Sequence, residues 1–251
     1  MSDTALVIMA RYPQSGQTKT RLARSIGETA TLTLYQAFLQ DLAQRFAQIP
    51  ALDLHWAYTP AEVDYAAFLQ TLVPGIVARC FPQEGADFAA RLLHAFQWLH
   101  SQGYKQIILI GSDSPQISLD CIITAHKKLQ EADIVLGPAE DGGYYLIAMK
   151  KPFDVFSGIP MSTEVVLEQT IILAKQQGLN IETLDPLFDI DEVSELVRLA
   201  AQLSVAPEQA PQTALQLVRL QQEGTLQPVG SYPYSQPTQS VHHQIFTPDR
   251  S

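Results

Sequence analysis

Four basic side chains, Arg11, Lys19, Arg21 and Arg24, fall in a stretch with no acid between Asp3 and Glu28. The chain has 26 acidic and 16 basic residues and a formal charge of −10, so a quarter of its positive charge sits in one segment. That segment follows the apolar run 5–10, which is expected to form a buried strand. Ligands of open α/β sheets bind beyond the carboxyl ends of strands, so these charges would face the site. Lysine, arginine and backbone N–H groups are what a diphosphate requires. Gly16-Gln17-Thr18-Lys19-Thr20 is close to a P-loop but has Thr18 where the glycine before the lysine belongs. The plainer alternative is a solvated basic loop.

Three acidic segments could complete a site. Asp113 lies in Gly111-Ser112-Asp113-Ser114-Pro115, directly after the apolar run 107–110. A carboxylate at the end of a buried strand can hold Mg²⁺ or Mn²⁺, although Asp, Ser and Pro also favour a simple turn. Asp189 and Asp191, if extended, point the same way and could add a metal ligand, but Asp191 could equally cap a helix beginning at Glu192. Asp141 precedes Gly142 and Gly143, whose freedom from side chains allows a ligand close to backbone. Asp141 could then act as general base on an acceptor hydroxyl; a hairpin turn is the competing expectation.

Other reactive types offer less. Cys80 and Cys121 match no metal or redox spacing, which suits a reducing, cytoplasmic setting. His94 and His126 fit packing or surface roles, and the adjacent His242 and His243 close no metal site. The acidic balance disfavours nucleic-acid binding, no leader pattern opens the chain, and no run approaches a membrane span.

Short apolar runs alternating with helical stripes position these residues. Strands are expected at 5–10, 52–59, 76–80, 105–111, 133–137 and 144–149, the last reached by a turn. Helices are expected at 28–48, 62–69, around Phe88 to Leu99, and at 119–129, 164–177 and 192–203. This alternation predicts an α/β fold with a mostly parallel sheet. One domain over 1–205 would be followed by a Pro/Gln-rich extension over 206–251. A helix at 211–223 starts that extension, and the remainder reads as an extended strap or disordered tail.

Taken in order, these motifs resemble the radical-SAM/selenodomain-associated transferase family, some of whose members are arsenosugar-biosynthesis glycosyltransferases. The resemblance rests on Arg11-x-Pro13-x-x-Gly16-x-x-Lys19-Thr20-Arg21-Leu22, Gln83-x-Gly85-x-Asp87-x-x-x-Arg91 and Gly111-Ser112-Asp113-Ser114-Pro115. It continues through Gly137-Pro138-Ala139-x-Asp141-Gly142-Gly143-Tyr144-Tyr145, Ser162-Thr163 and Asp189-x-Asp191. It departs at Arg11, Ala89, Met161, Glu192 and Glu195, where the family usually has Lys, Gly, Trp, Thr and Asp.

The resemblance implies a three-layer, Rossmann-like sheet of the type-A glycosyltransferase, or nucleotide-diphospho-sugar transferase, fold. It implies that Arg11, Pro13, Gly16, Lys19, Arg21, Asp87 and Arg91 meet the nucleotide and its phosphates. Asp113 with Asp189 and Asp191 would hold Mg²⁺ or Mn²⁺, and Asp141 would be catalytic. Gly142, Gly143, Tyr144, Ser162 and Thr163 would meet the acceptor. The implied reaction is metal-dependent transfer of a sugar from a nucleoside-diphosphate sugar to a small acceptor. A nucleotidyltransferase releasing pyrophosphate is the alternative, weakened because the first loop has only Gly16 and carries Pro13. The expected partners are a nucleotide-sugar donor and a small-molecule acceptor, with a homodimer as a candidate assembly, and neither nucleic acid nor membrane.

Overall fold

Eight strand residues, Thr4–Arg11, form β1, and all but the last are buried, as a run apolar on both faces requires. A computed structural model of the chain describes residues 2–47, 49 and 52–227. After β1 come α1 (Thr20–Ile26), α2 (Glu28–Phe46), β2 (Asp53–Thr59), α3 (Tyr65–Leu72), β3 (Arg79–Pro82) and α4 (Phe88–Ser101). Next are β4 (Gln106–Gly111), α5 (Leu119–Lys128), β5 (Ile134–Pro138), β6 (Tyr144–Met149), α6 (Val166–Gln176), β7 (Ile181–Thr183), α7 (Val193–Val205) and α8 (Pro211–Gln222).

The strands form one sheet in the order β3-β2-β1-β4-β6-β5-β7. β6 runs antiparallel to β4 and β5, and every other pairing is parallel. The expected turn from β5 to β6 is therefore present. Alternate residues of β1 feed opposite layers: Leu6 and Ile8 join the core under α2, α5 and α7, while Val7 and Met9 join that under α4. The chain leaves β1 for β2 on one side, and β4 lies on the other. This reversal opens a crevice beyond the carboxyl ends of β1 and β4.

Three boundaries depart from the sequence expectation. Residues 20–26, where no helix was expected, form α1, which buries Leu22 and Ile26 and turns Arg21 and Arg24 outward. The strand expected at 76–80 is shifted to β3, and the helix expected at 62–69 begins at Tyr65, capped by Asp64. β7, only three residues long and mostly exposed, had too little apolar signal to be read.

The helix expected at 211–223 is α8, and it packs along α2. Asp41, buried on α2, accepts from Gln212 N, Thr213 N and Thr213 Oγ1 at 2.7–2.9 Å, satisfying the start of α8. Residues 228–251, including His242 and His243, lie outside the described residues. No helix among the described residues is long and apolar enough to cross a membrane.

Candidate functional site

Lys19 caps α1 in a left-handed conformation, φ 43, uncommon for a side chain with a Cβ. The geometry throws its ammonium into the crevice, where its side chain is 5% exposed. Nζ lies 2.7 Å from Asp113 Oδ1 and 3.2 Å from Asp191 Oδ1, and donates to Ile190 O at 2.5 Å. Burial alone would lower the Lys19 pKa, but attraction to Asp113 and then Asp191 more than offsets it and holds the ammonium above its ordinary value.

The two acids are themselves fixed by backbone. Asp113 O accepts from Ile190 N at 3.0 Å, and Ser114 Oγ and Gln116 Nε2 both donate to Phe188 O. Arg45 reaches from α2 to Pro115 O and Ile117 O, holding the same loop from behind. Ser112 Oγ lies 2.9 Å from Tyr35 Oη, which accepts from Arg11 N. Burial, then the Asp113 charge, pushes the Tyr35 phenol up to about 12, so it stays neutral beneath the site. Glu192, not Asp191, is the N-cap of α7, with its N–H donating to Glu195 Oε2 at 2.8 Å. Asp191 is thereby left to face Lys19.

The crevice has two halves that share Phe88, Gly111, Asp113 and Asp191. The half over β1 and β2, about 280 Å³, takes in Arg11, Lys19 and Arg91. The half over β6, about 580 Å³, takes in Arg21, Asp141, Gly143, Tyr144, Ser162, Thr163 and Asp189. Asp141, an exposed residue, accepts from Gly143 N through Oδ1 at 2.8 Å. Asp189 is pushed up to about 6 by burial and by the nearby Asp141 and Asp191 charges. Ser162 is held at φ 66, a strained value for serine.

Several expected residues act through backbone or lie elsewhere. Gly142, at φ 90, lines neither half; a Cβ there would stand 2.1 Å from Glu164 O, so this glycine lets the hairpin turn rest on the 162–164 segment. Tyr144 lines the second half, but its hydroxyl is buried beside Thr170. Asp87 caps α4 by accepting from Ala90 N at 2.8 Å, and it lines neither half. Pro13, Gly16 and Arg24 also line neither half, and Arg21 faces the second rather than the first. Among the crevice residues given no role from sequence are Gln83, present only within a motif, and Phe88, present only in a helical stripe; Phe88 is 45% exposed, unusual for so large an apolar ring.

The donor chemistry suits a hard cation: half-exposed Asp113 and Asp191 converge, with Asp189 nearby. Among the described residues no three His, Cys, Asp or Glu side chains form a ready cage. The convergence point of the two carboxylates is where the Lys19 ammonium stands.

Residues 42–163 match the family model DUF2064, described as an uncharacterized protein conserved in bacteria. A crystal structure from Desulfovibrio desulfuricans G20, provisionally assigned as a nucleotide-diphospho-sugar transferase, is 31% identical. The match covers 90% of this chain and 97% of that one with a TM-score of 0.81. The chain belongs to the DUF2064 family.

The DUF2064 chain also shares its fold with more distant structures. A cytidylyltransferase from Leptospira borgpetersenii serovar Hardjo-bovis matches with a TM-score of 0.53 at 11% identity, over 93% of this chain and all of that one. A 4-diphosphocytidyl-2C-methyl-D-erythritolsynthase from Anaerococcus prevotii gives 0.54 at 10% identity, over 81% and 96%. The expected α/β fold of nucleotide-diphospho-sugar transferases is thus the observed one. No curated protein matches the chain in sequence.

Proposed function

We propose that this DUF2064 chain is a metal-dependent glycosyltransferase, moving a sugar from a nucleoside-diphosphate sugar to a small acceptor. The observation that carries this reading is the pair of half-crevices meeting at Asp113 and Asp191. One is flanked by Arg11, Lys19 and Arg91, and the other by an exposed carboxylate and two hydroxyls. The likeness to the 31%-identical D. desulfuricans protein supports the same donor class. The resemblance to radical-SAM/selenodomain-associated transferases supports transfer of a sugar.

In this mechanism the nucleoside diphosphate lies in the basic half, with its diphosphate toward Asp113 and Asp191. Mg²⁺ or Mn²⁺, when held by those carboxylates and Asp189, supplies positive charge for the departing diphosphate. Lys19 fixes the spacing of Asp113 and Asp191, while Arg11 and Arg91 offer charge to the phosphates. Asp141, on the second half, takes the proton of the acceptor hydroxyl as it attacks the sugar. Thr163 and Ser162 orient that acceptor, and Phe88 separates the nucleotide from the sugar-transfer side.

The fold is shared with cytidylyltransferases, so the released product is the decisive measurement. The protein should release nucleoside diphosphate from a nucleotide-sugar only with Mg²⁺ or Mn²⁺, and these ligands should raise its melting temperature. Asp113→Asn should remove both effects while the protein stays folded. Release of pyrophosphate from a nucleoside triphosphate would overturn the reading in favour of nucleotidyl transfer. Full metal-dependent binding in Asp113→Asn would overturn the metal assignment.

A further inference from the structure

Gln83 follows β3 directly, and its backbone N–H donates to Tyr58 O at 2.7 Å, continuing the ladder to β2. Its side-chain Nε2 donates to Ala57 O at 2.9 Å and to Ala10 O at 3.2 Å. A backbone carbonyl oxygen can only accept, so the atom between these two must be the NH₂ group. Each of its two hydrogens has a carbonyl, which fixes the carboxamide against inversion.

The opposite atom, Oε1, has no partner among the described residues. Gln83 lines the basic half of the crevice, and its Oε1 is not among the sealed-off polar atoms, unlike that of Gln116. The basic half therefore contains an acceptor whose direction the sheet itself dictates. It sits over β1 and β2, whereas Asp113 follows β4 on the other side of β1. About one and a half strand spacings, roughly 7 Å, separate those positions. A nucleotide with its diphosphate at Asp113 places its base, the end remote from the phosphates, toward Gln83.

We infer that Gln83 reads the nucleobase, its Oε1 accepting a hydrogen bond from an N–H on the base edge. The inference rests on the nucleoside-diphosphate reading above and adds to it which residue recognises the base and with what polarity. The amide of Gln83 cannot serve as donor to a base carbonyl, because both its hydrogens are engaged.

The test uses the full chain with Mg²⁺ and calorimetric binding of UDP, CDP, GDP and ADP. The tightest binder is then compared with its counterpart methylated on the edge nitrogens (N3-methyl-UDP, N4,N4-dimethyl-CDP, N1-methyl-GDP or N6,N6-dimethyl-ADP) and with its 2′-deoxy form. Methylation should weaken binding to the wild type about tenfold or more, as expected when a directed hydrogen bond is replaced by a clash. In Gln83→Met the two forms should bind within about twofold of each other. The comparison is internal to each protein, so general loosening of the β1–β2 end does not mimic it, and the wild-type pair decides the matter if the variant fails to fold. Equal affinity for methylated and parent forms in the wild type would overturn the inference. So would undiminished discrimination in Gln83→Met, or Gln83-dependent loss for the 2′-deoxy form alone, which would move the acceptor's target to the ribose. If none of the four diphosphates binds, the proposed function itself falls and this inference with it.

Discussion

The Lys19 ammonium lies 2.7 Å from the Asp113 carboxylate, joining the loop after β1 to the end of β4 across the mouth of the crevice. A basic residue expected to meet phosphate directly is thus also the internal counter-charge of two candidate metal ligands. Lys19→Met should leave Asp113 and Asp191 facing each other without it. The carboxylates are about half exposed, so solvent tempers the loss to about 1–3 kcal/mol. Mg²⁺ or Mn²⁺ should then restabilise the variant more than the wild type, because a cation at Asp113 and Asp191 replaces the lost ammonium charge. Melting curves with and without metal check this; an equal metal response in both proteins would show that the Lys19 ammonium does not offset the charge of the two acids.

Phe88 is the aromatic ring at the junction of the two half-crevices, and it remains 45% exposed. An apolar ring kept in a polar crevice suits the apolar face of a sugar ring. Phe88→Ala should weaken binding of the nucleotide-sugar about tenfold, equivalent to ~1.4 kcal/mol, while affinity for the bare nucleoside diphosphate stays within about twofold. Calorimetry on both ligands is the measurement. An equal loss for both would place the ring against the nucleotide instead of the sugar.

The reach of the sequence differs from element to element, for physical reasons. β1, β4 and the stripes of α2 and α4 were legible because burial imposes periodicity over many residues. α1 was not, since seven residues hold barely two turns and only Leu22 and Ile26 are buried. At the site, residue types located Lys19, Asp113, Asp141 and Asp191, whose charges have few structural uses in a crevice. Asp87 shows the opposite case: an aspartate before a helix is as readily a cap, and only the structure shows its oxygen on Ala90 N. Gln83 was present in a motif, but its importance lies in which of its two terminal atoms is engaged, and sequence carries no such information.

On the far side of the sheet, His55 gives the fold a pH dependence of predictable sign. Tyr104 Oη donates to Asp53 Oδ2 at 2.9 Å, so its contact with His55 Nε2, also 2.9 Å, uses a proton from the histidine. Nδ1 is then an unprotonated atom, buried with no partner. Burial, followed by the charge of Arg79, lowers the His55 pKa to about 4 from an ordinary value of 6.5. The unfolded chain therefore binds a proton more readily than the folded one between these values. The stability is complete above pH ~6.5 and is lost as pH falls toward 4, by up to about 3 kcal/mol. Asp189, raised to about 6 by burial and its acidic neighbours, acts over much of this window with the opposite sign. The difference between wild type and His55→Gln isolates the histidine: denaturant titrations from pH 4 to 7 should show a shallower acid-side loss in the variant. Parallel profiles would mean that folding leaves the His55 pKa unchanged.

Leu226 carries the described fold past the end of α8. Its N–H donates to Leu220 O at 3.0 Å, and its side chain, 1% exposed, joins the core that contains Leu217 and Leu220. Gly224, at φ 72, turns the chain back so that this contact can form, as a glycine after a helix often does. A protein ending at Gly224 has α8 but lacks this anchor, whereas one ending at Gln227 retains it. Burial of a leucine contributes about 2 kcal/mol, so the shorter chain should be less stable by that amount and melt several degrees lower. Both should still unfold cooperatively, because Asp41 continues to hold the start of α8. Chemical denaturation of the two truncations, with Leu226→Ala in the longer one as a third sample, checks the argument. Equal midpoints for all three would show that the 225–227 segment adds nothing to the fold.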